Sequence, residues 1–86
     1  MIKLIPGKLY ALKTNHEFGR MPSSTSLRFG IQKNSIVTFL KYYNFVTTKD
    51  VPLFLFDTKI VFPYYENNCV GILFDLEEIN DEQIFQ

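Results

Sequence analysis

Short apolar runs separated by turn residues constrain this chain more than any other feature of its sequence. The runs are rich in β-branched and aromatic residues, which favour strands, and Pro, Gly, Asn or Asp lies near their ends. Asp57-Thr58 predicts a tight turn between two paired strands. Pro52 has no N–H to donate to a sheet ladder, so the start of the strand that contains it is predicted to lie at a sheet edge. The predicted strands are Leu9–Lys13, Ser35–Tyr43, Val51–Phe56, Lys59–Phe62 and Cys69–Phe74.

The acidic tail after Phe74 permits two structures. If the tail formed a short helical turn, its apolar face would consist of Leu76, Ile79 and the pair Ile84/Phe85. A short final strand that closes a barrel fits the same residues. The stretch is too short for its hydrophobic period to separate the two, so both stay open.

Five strands in 86 residues predict a single all-β domain over residues 1–86, folded as a small barrel or as two packed sheets. A lone open sheet would leave one face and two edges exposed. The segments Pro6–Leu12 and Asn34–Leu40, with a long polar loop between them, resemble an SH3-like barrel, and the resemblance covers residues 6–79. It implies a long loop after the first strand and then a compact meander. The chain has no Trp and no ALYDY-type segment, so the resemblance does not imply binding of proline-rich peptides.

The style of the sequence also resembles the small, aromatic, Asn- and Lys-rich proteins that tailed bacteriophages make early in infection. This resemblance implies a protein that acts on a host component. The lone Cys69 cannot form an internal disulfide and fits a reducing compartment, so the expected location is the cytoplasm, of the host cell if the protein is phage-encoded. No apolar run approaches the length of a membrane span, and residues 1–8 do not have the pattern of a signal peptide.

A net charge of zero conceals two oppositely charged halves. Residues 1–49 hold eight basic residues and one acidic residue, whereas residues 50–86 hold one basic and eight acidic residues. One interpretation is a basic partner-binding surface and a separate acidic one. The other is that the halves fold against each other and their charges pair or are solvated.

Groups suited to catalysis are scarce. His16 is the only histidine and Cys69 the only cysteine, so a zinc site with its usual Cys and His ligands cannot be assembled from them. The paired carboxylates at Glu77-Glu78 and Asp81-Glu82 lie in the tail, where a solvated face is the simpler interpretation. No phosphate-binding glycine loop is present. The sequence therefore predicts a protein that is not an enzyme and that uses neither metal nor cofactor.

Binding is the better-supported class of function, and the predicted loop over residues 14–28 is its first candidate site. Basic side chains, small hydroxyls and an aromatic ring suit single-stranded RNA, and the same cations suit an acidic protein surface. Long unstructured loops are uncommon in compact domains and are often functional, although an ordinary connector is the alternative. The predicted binding residues here are Lys13, His16, Phe18, Arg20, Arg28 and Lys33.

Two tyrosine pairs form the second candidate site. Tyrosine is frequent at protein interfaces. Because adjacent strand residues point to opposite faces, at least one of Tyr42 and Tyr43, and one of Tyr64 and Tyr65, should be exposed. The prediction is a non-catalytic protein-interaction module, as a phage-encoded inhibitor of a host defence protein, nuclease or toxin. An RNA-binding protein that uses the basic half and a structural homo-oligomer are the alternatives.

Overall fold

A computed structural model describes residues 3–21, 28–46, 48–64 and 70–79. These residues are dominated by strands, which confirms the all-β class, but there are seven strands and not the five predicted. A 3-10 turn at Ile72–Phe74 precedes the last strand. The strands are β1 (Leu9–Leu12), β2 (His16–Arg20), β3 (Phe29–Ile31), β4 (Ile36–Tyr43), β5 (Val51–Phe56), β6 (Lys59–Pro63) and β7 (Leu76–Ile79).

All seven strands join one antiparallel sheet in the order β3-β2-β6-β5-β4-β1-β7. The sheet has edges at β3 and β7, so its hydrogen bonds do not close it into a continuous cylinder. The hairpin between β5 and β6 turns at Asp57 and Thr58, whose φ angles of 49° and 63° are those of a tight type I′ turn. The predicted tight turn is therefore confirmed.

Every strand contributes to one buried cluster. Tyr10 and Phe54 are completely buried, and the hydroxyl of Tyr10 accepts a 2.8 Å hydrogen bond from the N–H of Ile5. A core shared by all seven strands requires the sheet to curve around it. The members of this cluster are Leu4, Tyr10, Leu12, Phe18, Ile31, Val37, Phe39, Phe54, Val61, Ile72 and Leu76.

A second, smaller cluster covers part of the opposite face of the sheet. Val51, Leu53 and Phe62 form its buried centre. Met21, Leu40 and Phe45 pack against them from the surrounding segments. The sheet is therefore buried on both faces over part of β5 and β6.

The predicted loop over residues 14–28 contains a strand. His16–Arg20 pairs with both β3 and β6, and Phe18 lies in the core. Strand β6 is distant in sequence, so local composition cannot show its pairing with β2. The prediction of an unstructured loop is wrong for this part, and residues 22–27 lie outside the described residues.

The predicted strand at Cys69–Phe74 is also wrong for its described part. Ile72–Phe74 is a 3-10 turn in which only Ile72 is fully buried. A short apolar run fits a strand and a helical turn equally well. The following Leu76–Ile79 is a strand beside β1, so the strand alternative for the tail is correct there, whereas residues 80–86 lie outside the described part.

Pro52 does not lie on an edge strand, because β5 runs between β4 and β6. The pairing of β5 with β6 covers only Phe54–Phe56, whereas that with β4 extends to Val51. Pro52 thus sits where β5 pairs on one side, which accommodates the missing N–H of proline. The prediction concerned this end of the strand, and the end lacks a ladder partner on one side, although β5 as a whole is not an edge strand.

Candidate partner-binding surface

Two of the predicted binding residues in β2 point into the protein. Phe18 is fully buried, and its ring meets Phe54 edge-on at 6.4 Å, so it packs in the core and is not a stacking ring for a partner. His16 retains little exposure, and its Nε2 lies 3.0 Å from Oδ2 of Asp75. His16 therefore ties β2 to the turn before β7, and this contact accounts for its polar side chain.

The other basic residues of this region are distributed over separate places. Lys13 and Lys33 are exposed at one corner, where Oδ1 of Asn15 accepts a 2.7 Å hydrogen bond from the N–H of Lys33. Arg20 is exposed at the far end of β2. Arg28 lies 3.8 Å from Glu17 and 5.3 Å from the centre of the Tyr64 ring. The predicted basic residues therefore do not form one continuous surface.

Two contacts join a residue of the basic half to a carboxylate of the acidic half. Lys8 forms an ion pair with Glu78 beside the β1–β7 ladder, and Nε2 of His16 lies at hydrogen-bond distance from Asp75. The interpretation that the halves fold against each other accounts for these charges.

A β-bulge near the end of β4 decides which of two adjacent tyrosines lies on the core face. The register of the β4–β5 ladder shifts between Phe39 and Lys41, so one extra residue is accommodated there. Tyr42 then lies on the core face, edge-on to the Phe39 ring at 5.2 Å. Tyr43 lies on the other face, 5.0 Å from the Phe45 ring. Tyr42 and Tyr43 remain 47% and 38% exposed, which confirms that at least one of them is at the surface.

The loop after these tyrosines is held by its own hydrogen bonds. Oδ1 of Asn44 accepts a 2.9 Å bond from the N–H of Asp50, and the N–H of Phe45 donates a 2.8 Å bond to the carbonyl of Thr48. The Phe45 ring packs 5.0 Å from Phe62, which anchors the loop to the second cluster. Val46 is fully exposed among the described residues of this segment. We call residues 42–46 the tyrosine end.

Sequence reasoning missed the exposed aliphatic side chains and Phe74. Val46 lies three residues after Tyr43, Val70 lies two residues before the 3-10 turn, and Phe74 is the last residue of that turn. Val46 falls in a segment whose loop character could have been recognised from Asn44 and the polar residues after it. Tyr64 is half-buried beside Arg28, and Tyr65 lies outside the described residues.

Within the described ranges, no three His, Cys, Asp or Glu side chains are grouped so that they could hold a metal ion. The same residues include no helix long and apolar enough to cross a membrane. Burial raises the pKa of the Tyr42 hydroxyl, and the nearby Asp50 and Tyr10 raise it further.

Comparison of the chain with protein-family models, curated proteins and solved structures found no match.

Proposed function

We propose that this chain is a non-catalytic protein-interaction module that binds its partner through the tyrosine end. The observation that carries the proposal is the fully exposed Val46, held in a hydrogen-bonded loop beside the half-exposed Tyr42 and Tyr43. Residues already held by hydrogen bonds, as Asn44 and Phe45 are, lose less conformational freedom on binding than residues that are not. Aromatic side chains are enriched at the centres of interfaces. Full exposure gives the Val46 side chain no packing role among the described residues.

We further propose that the fold is an SH3-like barrel. Support comes from the order of its elements: a first strand, a paired arm made of β2 and β3, the β4-β5-β6 meander, a 3-10 turn and a final strand beside β1. One core shared by all seven strands supports the same arrangement. The tyrosine end then lies in the connection between the first two strands of the meander.

The role proposed for this module is to inhibit a host protein in the cytoplasm, as in the early phage proteins that its sequence resembles in style. A small binder acts in this way by covering a surface that the target needs. RNA binding through the basic half is the alternative, and Lys13 and Lys33, both exposed at one corner, are the residues that would contact phosphates.

The test is affinity capture from host lysate with mass spectrometry, comparing the wild type with Val46→Asp. Because Val46 is fully exposed, this change should leave the melting temperature unaltered. Loss of an interface anchor typically costs about 2 kcal/mol, or roughly 30-fold in affinity, so the captured protein should be lost.

Leu55→Asp is the matched control, because Leu55 is an exposed apolar residue on a different surface. It should capture the same protein as the wild type. Equal capture by Val46→Asp and the wild type would contradict the assignment of the tyrosine end.

A further inference from the structure

Two exposed cations lie close together where β2 ends beside the β5–β6 hairpin. Arg20 stands opposite Val61 in the β2–β6 ladder, and Lys59 precedes Val61 by two residues on the same strand. Because residues two apart on a strand point to the same face, Arg20, Lys59 and the buried Val61 share one face of the sheet. Such diagonal neighbours have Cα atoms about 7–8 Å apart, so one small anion can contact both long side chains.

A cleft of about 370 Å³ lies between these two cations. The β2–β6 ladder ends at Val61, and the N–H of Met21 donates a last 2.9 Å hydrogen bond to the carbonyl of Ile60. Among the described residues, no strand therefore covers this side of the hairpin at residues 58–59. The volume is at the lower end of the range for small-molecule sites. The cleft is lined by Arg20, Met21, Thr58, Lys59 and Ile60.

The positive charge of the cleft is not neutralised by a carboxylate of the described residues. Neither Arg20 nor Lys59 forms an ion pair with any of them. Asp57, in the adjoining turn, is the nearest carboxylate along the chain, and it is not within ion-pair distance of either cation. Two neighbouring like charges repel each other, and a ligand with two negative charges between them reverses the sign of that interaction.

The other side chains of the cleft offer apolar contact. Ile60 is 41% exposed, and Met21 is half-buried against the second cluster. The hydroxyl of Thr58 already donates a 2.5 Å hydrogen bond to the carbonyl of Asp57. The side-chain donors left for a ligand are thus the two cations, while the thioether of Met21 suits an aromatic ring.

We propose that this cleft binds a small organic phosphate monoester, with the phosphate between Arg20 and Lys59 and the organic group against Met21 and Ile60. A phosphate monoester has a second pKa of about 6 and so carries nearly two negative charges at neutral pH. The guanidinium of Arg20 can bind phosphate through two parallel N–H···O bonds, and Lys59 adds a compact charge. A carboxylate brings one charge and leaves the second cation without a counter-charge.

The proposal is tested by NMR titration of the isotope-labelled protein at low salt, with phenyl phosphate, benzoate and inorganic phosphate as the probes. Phenyl phosphate should shift the amide resonances of the cleft residues saturably at millimolar concentration. Benzoate lacks the second charge and inorganic phosphate lacks the ring, so each should bind about tenfold more weakly. The absence of saturable shifts with phenyl phosphate would overturn the proposal. Equal binding of either other probe would also overturn it, because the two charges or the apolar contact would then contribute nothing.

Neutral substitutions test whether the cleft itself holds the phosphate. Arg20→Gln and Lys59→Gln should each weaken the binding of phenyl phosphate about tenfold. Both side chains are exposed, so the melting temperature should not change. The matched control is the double variant Lys13→Gln, Lys33→Gln, which removes two exposed cations at another corner and should leave the affinity unaltered.

A control variant that loses as much affinity as the cleft variants would overturn the proposal, since overall charge and not the cleft would then attract the phosphate. So would wild-type affinity in both cleft variants. These titrations involve no protein partner and no residue of the tyrosine end. Their failure would therefore leave the proposed function untouched.

Discussion

Tyr42 lies between solvent and the buried Phe39 ring, and this position raises the pKa of its hydroxyl. Burial is the largest cause, because it disfavours the phenolate, and the negative charge of Asp50 and the proximity of Tyr10 act in the same direction. The bulge in β4 creates this environment, since it places Tyr42 on the same face as Phe39. A tyrosine in such a position keeps its proton, and so its capacity to donate a hydrogen bond, at any physiological pH.

We predict that Tyr42 titrates above 10.0, the usual tyrosine pKa. Because the folded-state pKa exceeds the unfolded one, the stability linked to this proton is present below pH 10 and is lost as pH rises through the folded-state pKa. The measurement is the ultraviolet absorbance titration of the wild type minus that of Tyr42→Phe. Asp50→Asn should move the midpoint down without restoring 10.0, since burial remains. An Asp50→Asn midpoint at or above that of the wild type would refute the electrostatic contribution.

The Phe62 ring lies over Gly19 because this residue has no side chain. A Cβ atom at Gly19 would lie 2.6 Å from Cζ of Phe62, which is the ring at the centre of the second cluster. Gly19 stands opposite Phe62 in the β2–β6 ladder. The packing of β2 beside β6 thus depends on the absence of a methyl group at residue 19.

Gly19→Ala should therefore lower the free energy of unfolding by about 1–3 kcal/mol, as overpacking usually does. Gly30→Ala is the matched control, because Gly30 lies in the neighbouring strand, where an added Cβ would meet no atom of another segment within 4 Å. The control should change stability by less than about 0.5 kcal/mol. Urea denaturation measures both. If the clash is the cause, the double variant Gly19→Ala, Phe62→Leu should recover part of the loss.

The strands of the meander are predictable because their signals are local. The predicted Val51–Phe56 has the same bounds as β5, and the predictions for β4 and β6 agree to within one residue at an end. Strand β2 escapes prediction because its partner β6 is remote in sequence, and β3 because it has only three residues. The exposure of a tyrosine at the end of β4 followed from alternation. The bulge and the exposed Val46 depend on register and loop bonding, which no local pattern contains.

Charge is distributed so that the described part of the molecule offers no single strongly basic face. Lys8, His16 and Arg28 each lie beside a carboxylate, while Lys13 and Lys33 occupy a corner away from Arg20. The affinity of a partner bound through the uncharged side chains of the tyrosine end should depend weakly on salt concentration. The affinity for a nucleic acid should depend strongly on it, because binding releases counterions.

Raising salt from about 50 to 200 mM should therefore weaken capture of the protein partner by less than about tenfold, whereas six phosphate contacts would give about a thousandfold loss. The measurement is affinity for the captured partner and for a poly-uridine oligonucleotide at both salt concentrations. Lys13→Ala plus Lys33→Ala should leave protein binding unchanged. Tight oligonucleotide binding at low salt that is lost in this double variant would favour the RNA-binding alternative.

The position of β1 in the sheet bears on how the protein folds during synthesis. Strand β1 lies between β4 and β7, so one of its two neighbours is made soon after it and the other only after β5 and β6. As the chain leaves the ribosome, the strongly basic first half emerges without the carboxylates of Asp75 and Glu78 that later pair with it. Pairing partners so far apart in sequence are slow to meet. Completion of the sheet must wait until residues 70–79 have emerged, and until then the nascent first half stays exposed to the polyanionic surface of the ribosome.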